Sequence, residues 1–178
     1  MNIPHLGANL MKVIMPLLAI GVVFLAMRVR RLPAATAIGW AKPPPAAVAG
    51  WLLLYAAYIL VSNYFMFWRG PWDFTIWREA PLIIDFLRVL GVAVLGPIAE
   101  ELIFRGILYG RFAQTKLGVG GAIAITAISW GAIHYTYTPG VILLLVGAGF
   151  LLGLARWQTR SIVTPMLMHI LWNIYAVW

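Results

Sequence analysis

In the stretch "GPIAEELIFRGILYG", residues 96–110, two adjacent carboxylates, Glu100 and Glu101, interrupt an apolar run, and Arg105 follows four residues after Glu101. Only five acidic residues occur in the chain, so two of them side by side among Leu, Ile and Phe is a costly arrangement. Further on, "SWGAIHY" places His134 four residues after Trp130, and "HILWN" places Asn173 four residues after His169. Side chains four apart share one face of a helix. Three apolar segments therefore each offer a polar group or pair. An ionisable group inside a membrane span costs a few kcal/mol or more and is usually functional. A carboxylate beside an imidazole can take a proton from water, and an amide that never ionises suits a developing oxyanion. Neighbouring helical residues point ~100° apart. Glu101 is the natural partner of Arg105, which leaves Glu100 to face His134 as the base. Taken singly, each group also has a structural reading: a buried ion pair, a histidine on a carbonyl, an interhelical amide bond.

The frame around these groups is apolar. Of 178 residues, 63% are hydrophobic and 10% charged, against about 25% charged in soluble domains, and the mean hydropathy is +0.91. The expectation is an all-α, polytopic transmembrane helix bundle, one integral membrane domain over 1–178. There is no cysteine, which excludes disulfides and thiolate chemistry. The net charge of +8 does not point to nucleic acid. The basic residues lie in short gaps between apolar runs, the pattern of topology signals and anionic-lipid contacts.

A spanning helix needs about 20 apolar residues. About six spans are expected, over residues 10–27, 46–68, 82–112, 121–135, 141–155 and 161–178. Residues 1–80 hold two N-terminal spans and linkers, and 81–178 hold the polar groups. "KPPP" (residues 42–45) makes a stiff spacer. "FMFWRGPWDF" (residues 65–74) suggests an aromatic interface with a Gly-Pro turn, and Pro97 a kink just before the glutamates. Asp85 and Arg88 suggest a local pair; His5 is assigned nothing. Lys and Arg concentrate in the gaps after the first, third and fifth spans, which places both termini outside the cytoplasm.

"EELIFRG", "SWGAIHY" and "HILWN" together resemble the three motifs of the CAAX-protease and bacteriocin-processing (CPBP, or Abi) family of intramembrane proteases: Glu-Glu-x-x-x-Arg, Phe-x-x-x-His and His-x-x-x-Asn. The resemblance covers residues 91–178, with Trp130 in place of the phenylalanine, a change of aromatic for aromatic that bears on packing more than chemistry. It makes 81–178 a CPBP-like catalytic core. It implies peptide hydrolysis, with a glutamate and His134 activating water, His169 and Asn173 stabilising the oxyanion, and Glu100, Glu101 and Arg105 forming the first motif. A glutamate-type mechanism without a cofactor is expected; the alternative is zinc on Glu100, His134 and His169, for which Asn173 is a poor ligand.

The leading expectation is thus an intramembrane endopeptidase acting on a membrane-associated protein or peptide, in the bilayer of a bacterial inner (plasma) membrane. Nucleic acid is not an expected partner, and the sequence says nothing of oligomeric state. Two other classes stay open: a non-catalytic scaffold or immunity protein of the same fold, and a proton-coupled transporter, since buried Glu, His and Arg also suit a proton relay.

Overall fold

The computed structural model describes residues 5–66 and 80–177, which form seven helices and no strand. They are α1 (Leu6–Val29), α2 (Ala34–Ala37), α3 (Pro45–Met66), α4 (Leu82–Phe112), α5 (Gly118–Ala132), α6 (Pro139–Thr159) and α7 (Val163–Val177). The chain is an all-helical membrane bundle. Helices α1, α3, α4 and α6 are long and apolar enough to cross a bilayer, whereas α5 and α7 are shorter apolar helices of 15 residues. At ~1.5 Å per residue these two reach about 22 Å, less than a hydrocarbon core of about 30 Å. The six expected spans therefore resolve into four long helices and two short ones, and the short ones carry His134's neighbour Trp130 and both His169 and Asn173. The expected aromatic turn, with Trp68, Gly70 and Pro71, and the charges Arg69, Asp73, Arg78 and Glu79 lie outside the described residues.

The core is built from both halves of the sequence. Tyr55 of α3, Phe104 of α4, Trp130 of α5, Leu152 of α6 and Trp172 of α7 share one buried cluster. Val23 and Met27 of α1 meet Ile38, Leu102, Ile162 and Met166 in a second. The outward faces of α1 and α3 are apolar and exposed, at Leu18, Val22, Leu53 and Leu60 for example, as lipid-facing surfaces must be. The linker after α2 is not loose: Ile162 N–H donates to Gly39 O (2.9 Å) and Ser161 Oγ to Ala41 O (2.5 Å), tying it beneath the α6–α7 turn.

Two glycines set helix approach. A methyl at Gly149 of α6 would come 2.9 Å from Ala127 Cα of α5, and one at Gly91 of α4 would meet the Lys12 backbone of α1 at 2.7 Å. Only a residue without Cβ allows backbones this close.

Helix α4 does not end or break at Pro97. It changes register instead. Val89–Leu95 and Leu102–Leu108 are π-helical, flanking the α-helical turn Gly96–Glu101 that carries both glutamates. In the first π segment Gly96 N–H reaches back five residues to Gly91 O. In that register the next N–H, that of residue 97, would serve Val92 O, and proline has none. Asn173 of α7 supplies the missing donor, with Nδ2 2.8 Å from Val92 O.

Candidate active site

A cavity of about 460 Å³ enters the bundle from the end that holds the 133–138 connection and the end of α7. Lys12, Arg88 and Tyr137 line it together with Glu100, His134, His169 and Asn173. Four of the six residues singled out by their spacing thus share one cavity. The other two, Glu101 and Arg105, do not line it: both side chains are 0% exposed behind its wall.

The two glutamates diverge as adjacent helical residues must. Glu101 Oε1 is 2.8 Å from Arg105 Nη1 and accepts from His169 Nδ1 at 2.9 Å. Arg105 Nη2 donates to Gly149 O of α6 at 3.1 Å. Glu100 turns the other way and its side chain is 32% exposed, into the cavity. Its Oε2 accepts from Trp130 Nε1 at 2.5 Å and lies 3.9 Å from His169 Nε2. One Glu100 oxygen is therefore engaged and the other is available to a substrate or water. His169 bridges the pair, with Nδ1 on Glu101 and Nε2 toward Glu100. Because a carboxylate can only accept, Nδ1 carries the proton in this bond.

His134 differs from expectation in its placement. The helix that should have carried it ends at Ala132, and His134 sits in the following turn, its N–H on Gly131 O at 3.1 Å. Turns continue over residues 133–136 before α6 begins. Thr138 precedes Pro139 and is held extended, with ψ at 151°, as residues before proline are. His134 Nδ1 is 2.9 Å from Trp130 O. The carbonyl accepts, so Nδ1 is the protonated nitrogen and a neutral ring keeps a lone pair on Nε2. Glu100 and His134 are joined through Trp130 rather than to one another.

Trp130 corrects the sequence reading. Its replacement of phenylalanine is not a packing detail, because the indole N–H that phenylalanine lacks is the donor to Glu100. Trp130 is 2% exposed, and its ring lies 5.0 Å from the His169 ring, 5.2 Å from the His134 ring and 5.0 Å from the Arg105 guanidinium carbon. Spacing had put Trp130 on His134's face but could not say that its nitrogen would find a carboxylate 30 residues away in sequence. Asn173 also has a structural partner, Val92 O, and offers the cavity only its second amide hydrogen and its oxygen. Tyr137, which no motif pointed to, stacks on His134 at 5.8 Å. Burial, and then the negative Glu100, push its phenol up, so it keeps its proton at neutral pH. Lys12 and Arg88 were likewise not anticipated as cavity residues.

The zinc alternative is not favoured by the donors. Among the described residues no three His, Cys, Asp or Glu side chains are grouped so as to hold a metal ion. Glu100, His134 and His169 share the cavity without converging on one point, and His169 spends Nδ1 on Glu101.

Comparison with known proteins leads the same way as the motifs. YdiL of Bacillus subtilis (strain 168), named as a candidate membrane peptidase, is 28% identical over 92 residues, 51% of this chain and 36% of YdiL. MroQ of Staphylococcus aureus (strain USA300), named a membrane-embedded CAAX protease, is 28% identical over 107 residues, 56% of this chain and 40% of MroQ. The matches thus span about two-fifths of the length of these relatives. No solved structure matches the chain. Four long apolar helices and membrane relatives from two bacteria make this an integral bacterial membrane protein. The family described as type II CAAX prenyl endopeptidase Rce1-like matches residues 82–175, more than half of the chain and every one of the six motif positions, and the chain belongs to that family.

Proposed function

We propose that the chain is an intramembrane endopeptidase that uses Glu100 as general base. The observation carrying this reading is that, of a carboxylate pair embedded in the bundle, one member is locked in an ion pair and the other opens into a cavity shared with two histidines and an asparagine. The names of YdiL and MroQ support it.

A water between Glu100 and His134 gives its proton to Glu100's unengaged oxygen while its oxygen bonds to the scissile carbonyl carbon. His134, with its lone pair on Nε2, orients that water. The resulting oxyanion takes the second amide hydrogen of Asn173, and His169, whose Nδ1–H is on Glu101, donates to it from Nε2 when the ring carries both protons. Collapse breaks the C–N bond, and the proton on Glu100 passes to the departing amine. Glu101 and Arg105 do not meet substrate; they hold His169 in position. The substrate is a membrane-associated protein or peptide, because the cavity begins at the end of the bundle and ends among its apolar helices.

Glu100→Gln, which keeps the shape and the Trp130 contact but not the basicity, should abolish cleavage of a tagged membrane substrate by the purified protein while leaving its thermal unfolding unchanged. Full cleavage by this variant overturns the reading. Uptake or pH-gradient dissipation in vesicles that depends on Glu100, without cleavage, would make it a transporter. Prolonged chelation should leave the rate unchanged; a loss restored by added zinc would overturn the metal-free form of the proposal.

A further inference from the structure

A second cavity, of about 370 Å³, opens at the opposite end of the bundle between α1, α2 and α4. Met27 and Ile107 belong to its apolar wall, and Arg30, Arg111 and Gln114 to its polar rim. Arg30 directly follows the last residue of α1, and Arg111 is next to the last residue of α4. Both guanidiniums are exposed and stand where spanning helices end, at the level of lipid headgroups.

Among the described residues no carboxylate side chain lines this groove. All five acidic residues lie between Asp73 and Glu101. The nearest in sequence to Arg111 is Glu101, about 15 Å away along the helix and already paired with Arg105. Arg28, Arg31, Lys42 and Lys116 add further positive charge in the segments flanking these helix ends. Two guanidiniums on one groove repel unless an anion lies between them, and a phosphate accepts from both in forked geometry. The groove's other wall is aliphatic, which a free phosphate would leave unused and an acyl chain would cover. Gln114 Nε2 donates one hydrogen to Gly110 O at 2.6 Å and retains a second.

We propose that this groove binds one anionic phospholipid, its phosphate on Arg30 and Arg111 and an acyl chain along Met27 and Ile107. The lipid would bridge the α1–α2 segment to α4, the helix that carries both glutamates. This is independent of the hydrolytic reading.

The test uses the full chain in neutral detergent, with phosphatidylglycerol or phosphatidylcholine added at equal concentration. Thermal unfolding and native mass spectrometry report binding. Phosphatidylglycerol should raise the unfolding temperature by about 5 °C and be retained as one copy, and phosphatidylcholine should do neither. Arg30→Gln with Arg111→Gln should lose most of the shift, whereas Arg28→Gln with Lys116→Gln, which removes the same charge outside the groove, should keep it. An equal shift in both double variants, or with phosphatidylcholine, overturns the proposal. So does an equal shift with inorganic phosphate alone, which would reduce the groove to a simple anion site.

Discussion

Replacing Trp130 by phenylalanine would take away the hydrogen bond to Glu100 and trim a ring that packs on His169, His134 and Arg105. A hydrogen bond to a charged group contributes roughly 1.5–3 kcal/mol, and 1.4 kcal/mol is about tenfold in rate. Trp130→Phe should therefore fold normally and cleave about tenfold more slowly, because Glu100 loses the donor that fixes its orientation; an unchanged kcat would show that the contact is structural. The pairing of Glu101 with Arg105 was legible at this scale, since a spacing of four residues determines which side chains meet on a helix. Trp130's donor role was not legible, since it depends on how α5 lies against α4. The same holds for Asn173, whose partner is a backbone carbonyl 81 residues away and carries no sequence signature.

Among the elements, α4 and α7 are linked by a hydrogen bond that exists because Pro97 lacks one. Asn173→Ala leaves Val92 O unsatisfied and should cost about 1–3 kcal/mol. Pro97→Ala restores a backbone donor to this turn. The loss on Asn173→Ala should then shrink markedly in the Pro97→Ala background, and a double-mutant cycle on equilibrium unfolding measures the difference. Additive losses would mean the two residues are unrelated. The helices themselves were readable within a few residues at each end, because hydropathy and length suffice for them. The register of α4, the short helix α2 and the early end of α5 escaped the sequence reading: a proline signals disturbance but does not say that the helix will absorb it by π bonding, and four residues or an apolar run carry too little pattern to fix where a helix stops.

For the whole molecule, the unmatched N-terminal helices are part of the structure that surrounds the site, since α1 contributes Lys12 to the cavity and α3 contributes Tyr55 to the core. The cation-rich end should face the cytoplasm. The cavity then opens on the opposite side, together with the start of α1 and the end of α7. The natural absence of cysteine makes this directly measurable. Lys116→Cys should resist a membrane-impermeant maleimide in intact cells, and Thr138→Cys should react. The reverse pattern would turn the molecule over and bring the cavity to the cytoplasm.

The ion pair inside α4 also bears on how the protein is made. Glu101 and Arg105 neutralise each other one turn apart on a single helix, before α7 and its histidine have been synthesised. A lone arginine at the centre of a segment entering the bilayer adds about 2.5–3.5 kcal/mol to its insertion, and a lone carboxylate is costly in the same way. Arg105→Ala should therefore fail early, as poor insertion of α4 in a glycosylation-mapping assay, rather than late, as a correctly threaded protein that merely unfolds more easily. Normal insertion of that variant would place the requirement for Arg105 after membrane entry. The self-neutralised helix lets the ribosome deliver the chain's most polar span well before its partner helix.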